Sequence, residues 1–202
     1  MVAISFSLRR LLMGRVMSKS ARFLALAVCL LIAFMAPALA ADLENTLYLD
    51  VPKGRVVIEL RPDLAPGTVA RIKELARAHF YDGLKFHRVI EGFMAQTGDP
   101  KGDGTGGSGK HLKAEFSDTR FVRGTVGMAR AQDPDSADSQ FFICFAPAPF
   151  LNGKYTVFGQ VTAGMEYVDA IKKGNPDQNG VVADPDKIIR MQVAADADKA
   201  GH

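Results

Sequence analysis

A chain of 202 residues with a formal charge of only +3 leaves little room for more than one domain beside a targeting segment. The charge is unevenly placed: Arg9, Arg10, Arg15, Lys19 and Arg22 precede the first acidic residue. Removing these five leaves 3 − 5 = −2 for the remainder, so the positive balance gives no argument for a nucleic-acid partner.

After this basic segment, residues 23–35 are apolar apart from Cys29, and Ala36-Pro37-Ala38-Leu39-Ala40 puts small residues where a signal peptidase reads. The pattern predicts a cleavable signal peptide over residues 1–40, with Met17 as a more ordinary start, and hence export, to the periplasm or, as the alternative, by secretion. A membrane anchor is the competing reading, but the apolar stretch is short for a spanning helix. A lipoprotein cysteine at Cys29 fits poorly, because Val28 is bulky and the apolar run continues past it. Arg9-Arg10 stands too far from the apolar core for a good twin-arginine signal. The expected organisation is then one domain over residues 41–195 and a polar, frayed tail over 196–202. Cys144 is its single cysteine, so no internal disulfide is available and packing must supply stability.

Thr46 to Leu60 reads as a hairpin around Pro52-Lys53-Gly54, with Leu47, Leu49 and Val51 alternating with polar positions. A helix is predicted from Thr68 to near His79, where Val69, Ile72, Leu75 and Ala76 recur at helical spacing. Leu84 to Gln96 reads as two short strands around Glu91-Gly92. Five glycines between Gly98 and Gly107 mark a shaped loop; no Gly-Lys-Ser or Gly-Lys-Thr completes a phosphate cradle. Further strands are predicted at 124–129, 140–145, 155–161 and 187–193, and a second helix at 164–171. Many short strands with two helices imply an all-β domain, its sheet closed and its first and last strands neighbours.

The chemistry-bearing residues are few. His79, His87, His111 and His202 show no metal-ligand spacing, Ser139 lacks a nucleophile context, and Cys144 lies among aromatics. What remains is Arg88 inside an apolar segment that continues into Phe93, Met94 and Gln96. Read from periodicity, Arg88 is equally an edge charge covering apolar surface with its stem, and the apolar residues are equally ordinary core.

The run Phe86-His87-Arg88-Val89-Ile90 through Phe93-Met94-Ala95-Gln96-Thr97-Gly98-Asp99 resembles the signature of the cyclophilin-type peptidyl-prolyl isomerases. Gly104-Thr105-Gly106-Gly107, Ser139-Gln140-Phe141-Phe142-Ile143 and Phe150-Leu151-Asn152-Gly153-Lys154-Tyr155-Thr156-Val157-Phe158-Gly159 continue it in order. The resemblance covers Thr46 to Val193 and implies a closed eight-stranded antiparallel barrel capped by two α-helices. It implies Arg88 as the catalytic residue and Phe93, Met94, Phe142 and Leu151 as a cup for the substrate proline. Gln96 and Gln140 would meet the peptide backbone, and Ala129 and Arg130 the residue before proline. Phe150 and Tyr155 complete the groove, with a departure at each: relatives sensitive to cyclosporin carry Trp and His there, so weak cyclosporin binding is expected. Arg130 replaces an Asn common among relatives, and its charge is expected to tune the preference for the preceding residue. The compact loop before Thr105 resembles bacterial members.

The implied reaction is rotation about X–Pro bonds in exported proteins during folding, without a cofactor, by a monomer whose partners are proline-containing peptides and partly folded chains. No nucleic acid and no stable membrane anchor are expected. A non-catalytic peptide-binding or chaperone module and an inert assembly barrel are the alternatives. Arg88 argues against pure binding, since proline capture needs mainly the apolar cup.

Overall fold

The computed structural model describes residues 43–197. The predicted signal peptide, residues 1–40, and residues 198–202 of the predicted tail lie outside the described residues. Eight strands form one antiparallel sheet: β1 (Thr46–Val51), β2 (Gly54–Leu60), β3 (Arg88–Ile90), β4 (Met94–Thr97), β5 (Thr125–Met128), β6 (Phe141–Cys144), β7 (Val157–Ala163) and β8 (Arg190–Val193). Their order across the sheet is β3-β4-β6-β5-β7-β2-β1-β8. Among the described residues three full α-helices accompany it: α1 (Pro66–Arg77), α2 (Met165–Asp169) and α3 (Ala194–Ala197).

The elements follow local rules. In β1, Leu47, Leu49 and Val51 are buried while the alternate residues are half-exposed, the period of a strand with one face on the core. Helix α1 begins two residues before the position expected from its apolar stripe, because Pro66 takes the first turn, where its missing N–H is no loss. It buries Val69, Ile72, Leu75 and Ala76. Each such side chain contributes on the order of 1 to 3 kcal/mol relative to exposure. At the end of α1, Arg77 pairs with both Glu44 and Asp196 at 2.8 Å. Asp196, expected in the frayed tail, therefore lies in α3 and holds the helix that packs against the sheet.

Two expectations are corrected. The sheet is an open, curled half-barrel and does not close, and among the described residues three α-helices, not two, accompany it. The first and last strands do pair, Leu47 opposite Val193 and Asp50 opposite Arg190, but that leaves β8 and β3 as the two edges. The reason lies in what meets β3. This strand has three residues, and the irregular segment 174–188 runs along its free side instead of another strand. Val89 N–H donates to the Gly180 carbonyl at 2.8 Å, Gly174 N–H to the Val89 carbonyl at 2.9 Å and Val182 N–H to the His87 carbonyl at 3.1 Å. The approach requires glycine: a Cβ on Gly174 would lie 1.8 Å from the Gly180 carbonyl oxygen, and one on Gly180 would lie 2.4 Å from Ile90 Cγ1. Gly180 also has φ +79°. A loop shaped by glycine thus does the edge-covering that a ninth partner strand would do.

The interior of the curl holds the main core, with Leu47, Leu49, Val56, Ile58, Val89, Ala95, Phe141, Ile143 and Phe158 among its members. Among the described residues, the buried side-chain nitrogens without a hydrogen-bond partner are Arg71 Nε, Arg190 Nε and both ring nitrogens of His87. His87, just before β3, is 6% exposed, and neither of its ring nitrogens has a hydrogen-bond partner. Burial lowers its pKa below the usual 6.5 and Arg88 adds to this, while Asp99, Asp103 and the Lys85 backbone oppose it. The folded state therefore binds a proton less readily than the unfolded chain, and stability that depends on neutral His87 is complete above pH 6.5 and falls as acid drives the ring through its depressed pKa. Urea midpoints measured between about pH 8 and pH 5 should fall more steeply for wild type than for His87→Gln. Parallel profiles would remove His87 as the source. Gly180→Ala should lower stability by at least about 2 kcal/mol, a Tm loss of roughly 5 °C or more, through both the positive φ and the clash with Ile90. A thermal melt matching wild type would contradict the role given to the edge loop.

Candidate functional site

Alternation places the candidate residues on the outer face of the sheet. Arg88 in β3 pairs with Gln96 in β4, Gln96 with Phe142 in β6, and Phe142 with Gly127 in β5. These four form one row, and residues in a row point to the same side. Met94 and Cys144 form the next row on that side. The intervening residues Val89, Ala95 and Ile143 point inward to the main core. The outer side carries its own apolar cluster of Met94, Phe121, Phe142, Cys144, Ala148, Leu151 and Val157, against which Ile90, Phe93 and Tyr155 pack. Gly127 makes this possible: a Cβ there would lie 2.7 Å from the Phe121 ring and 2.9 Å from the Phe142 ring. The two rings stack at 5.8 Å between centroids in the space it leaves.

Above the cluster lies a groove of about 740 Å³. Its lining includes Arg88, Phe93, Met94, Gln96, Ala129, Arg130, Phe142, Phe150, Leu151 and Tyr155. Gln140, the remaining residue singled out by sequence, does not line it. Gln140 lies behind Gln96 in an adjoining pocket of about 340 Å³ that shares Gln96, Gly104, Ala129 and Arg130 with the groove. The floor is Met94, Phe142 and Leu151, all buried; Phe150 stands at the rim, 58% exposed, its ring 5.2 Å from that of Phe93. Tyr155 meets Phe142 edge to face at 6.0 Å.

Polar groups cross the groove as a chain. Arg88 Nε donates to the Asn179 carbonyl at 3.0 Å, Nη2 to Asn179 Oδ1 at 2.9 Å and Nη1 to Gln96 Oε1 at 3.1 Å. Gln96 Nε2 donates to Gln140 Oε1 at 2.9 Å, and Gln140 Nε2 reaches the carbonyls of Gly104 at 3.0 Å and Gly106 at 2.8 Å. All of Arg88's acceptors are neutral. Burial lowers its pKa, yet a guanidinium remains charged at any pH of interest. A guanidinium has five N–H groups, and three are engaged, so one on each terminal nitrogen is left for a ligand.

The sequence reading missed Asn179. Its signal is Asn179-Gly180 after Pro176, a pair suited to positive φ; Asn179 adopts φ 53°, which turns both its carbonyl and its side chain to Arg88. Lys154, Asp103, Gly104, His87 and Val181 also line the groove without having been singled out. The glycine-rich loop does form an anion cradle, but for its own carboxylate. Asp99 accepts from the N–H groups of Lys101 at 2.8 Å, Asp103 at 3.0 Å and Gly104 at 2.6 Å. Burial pushes the Asp99 carboxyl up, and these donors with Gly106 outweigh it and hold the pKa below the usual range.

Cys144 is fully buried under the groove, and burial alone raises its pKa to about 12, so it is a protonated apolar filler and not a nucleophile. Among the described residues no group of three or more His, Cys, Asp or Glu side chains is placed to hold a metal, and no helix is long and apolar enough to cross a membrane. The arrangement is suited to holding an apolar ring on the floor while a fixed cation and amide groups address the adjoining peptide.

Comparison with known proteins assigns the chain to a family. Residues 46–193 match the family described as cyclophilin type peptidyl-prolyl cis-trans isomerase/CLD. A probable peptidyl-prolyl cis-trans isomerase of Brucella suis is 55% identical over 190 residues, covering 88% of this chain and 97% of the relative. Peptidyl-prolyl cis-trans isomerase B of Bacillus subtilis is 47% identical over 123 residues, 60% of this chain and 85% of that protein. A crystal structure of a cyclophilin type isomerase from Cryptosporidium parvum, obtained in the presence of the dipeptide Ala-Pro, superposes with a TM-score of 0.67 at 27% identity, covering 73% of this chain and 98% of that one. The chain therefore belongs to the cyclophilin-type peptidyl-prolyl cis-trans isomerases and is by that membership an enzyme.

Proposed function

We propose that this protein accelerates rotation about X–Pro bonds in exported proteins by seating the proline ring on Met94, Phe142 and Leu151 while Arg88 stabilises the twisted amide. The observation that carries this reading is the Arg88 guanidinium, held beside the apolar floor by neutral acceptors only. Amide resonance sets a barrier of roughly 18–20 kcal/mol to rotation. At the twisted geometry the nitrogen loses conjugation and its lone pair becomes an acceptor. A donor placed there lowers the barrier only if it favours the twisted state over both planar ones. A carboxylate partner would compete for the guanidinium's remaining donors, and none is present among Arg88's hydrogen-bond partners. No proton is transferred and no covalent bond is made, so neither a nucleophile nor a cofactor is needed.

Isomerisation of a short Ala-Pro peptide tests this. Arg88→Ala should lose on the order of a hundredfold or more in kcat/KM with little change in melting temperature, and cyclosporin should inhibit the wild type weakly in the same assay. Equal rates for the two proteins would end the role assigned to Arg88.

The site of action is proposed as the periplasm, from the basic, apolar and small-residue order of residues 1–40. The exported protein, purified from its producing cell, should have an N-terminal mass corresponding to a start at Ala41. An intact leader in the mature protein would count against export by cleavage.

A further inference from the structure

We propose that Arg130 is a positioning residue that clasps the two walls at the Tyr155 end of the groove and so sets substrate affinity, an inference that rests on the peptide-binding reading given above. Four of the five N–H groups of its guanidinium are committed to main-chain carbonyls. Nε and Nη2 both donate to the Lys154 carbonyl, at 3.1 and 2.9 Å, while Nη1 donates to the carbonyls of Ala131 at 2.8 Å and Gln132 at 3.0 Å. The same plane lies 4.6 Å from the Tyr155 ring centroid and 5.8 Å from that of Phe116.

These contacts join segments far apart in sequence. Ala131 and Gln132 follow β5 and lie directly after Ala129 and Arg130, which line the groove. Lys154 and Tyr155 belong to the turn that carries Leu151 and leads into β7. One planar fork therefore fixes the separation of the walls, and its face fixes the Tyr155 ring that packs on Phe142 at the groove floor. Only a guanidinium does both: an ammonium is a point charge without a planar face or a bidentate fork.

The fold itself has other supports at this turn. Phe121 N–H donates to Asn152 Oδ1 at 2.8 Å, and Glu115 N–H to Thr156 Oγ1 at 3.0 Å. Removing Arg130 thus releases the groove wall while leaving the turn attached to the domain. Binding must then order Tyr155 and its neighbours each time a peptide enters, and that cost appears as weaker affinity.

The test compares wild type, Arg130→Ala and Arg130→Lys on an Ala-Pro peptide, by isomerisation kinetics and by an NMR binding titration of the same peptide. Thermal melts serve as a check that each variant is folded. The expected result is a KM and a peptide Kd raised roughly three- to tenfold in Arg130→Ala, with kcat within about twofold of wild type. Arg130→Lys should resemble Arg130→Ala, because it keeps the charge and loses the fork. Tyr155→Leu should weaken binding in wild type but add little in the Arg130→Ala background. Unchanged affinity in a folded Arg130→Ala, or full recovery by Arg130→Lys, would overturn the proposal, the latter by making charge the operative property. A wild type that binds but does not isomerise would overturn the catalytic reading alone, since the titration still reports on Arg130.

Discussion

Strands β5 and β6 are buried at every position, and most of the site depends on that constraint. An antiparallel sheet ordinarily packs one face on a core and wets the other. Here the inward residues of β4 and β6 fill the curl, while the outward ones need a second apolar cluster to cover them. That outer cluster is roofed by turns, by the short 3-10 helix Pro149–Leu151 and by single side chains from positions 93, 148 and 155–157, not by an α-helix. Turns roof it incompletely. The groove is the uncovered part of the outer cluster, with Arg88 and Gln96 continuing the Phe142 row beyond its apolar edge.

The same constraint explains what could be read from sequence. The hairpin of β1 and β2, helix α1 and the pairing of Arg88 with Gln96 are local, fixed by alternation and by the Glu91-Gly92 turn. Ten residues expected in the groove do line it, because separated motifs carried the family's spacing. Closure of the sheet could not be read, since alternation identifies strands without saying which edge each will occupy. Asn175 to Gly180 reads as loop from its Asn, Pro and Gly residues, and the purpose of Gly174 and Gly180 shows only against β3. Asn179 was hidden for the same reason: its partner, Arg88, is 91 residues away. The short α3 was missed because its four residues, Ala194–Ala197, offer too little sequence to show a helical period.

Arg88 and Arg130 show two uses of one side-chain type within a single groove. Arg88 is tethered through three of its five donors to amide groups, which leaves it both fixed and unsaturated. Arg130 gives four hydrogen bonds to main-chain carbonyls and lays its face on two aromatic rings. Arg88 keeps an unengaged N–H on each terminal nitrogen, whereas Arg130 commits both N–H groups of Nη1 and one each of Nε and Nη2 to backbone carbonyls, and this marks the difference between a group that addresses a ligand and one that shapes the surface around it.

Arg77 joins Glu44, just before β1, to Asp196, just after β8. Its ion pairs are half-exposed and each adds little stability, about 1 kcal/mol or less. Their topological effect is larger. The chain enters and leaves the domain at one guanidinium on α1, and β1 and β8 run side by side from that point. The domain is thus a single-stemmed unit, the shape that tolerates splicing into a surface loop of another protein or fusion at either end. A force applied between the two ends would load the Arg77 clamp and the β1–β8 ladder first, leaving the β3–β4–β6 rows that carry the groove unloaded until that stem parts.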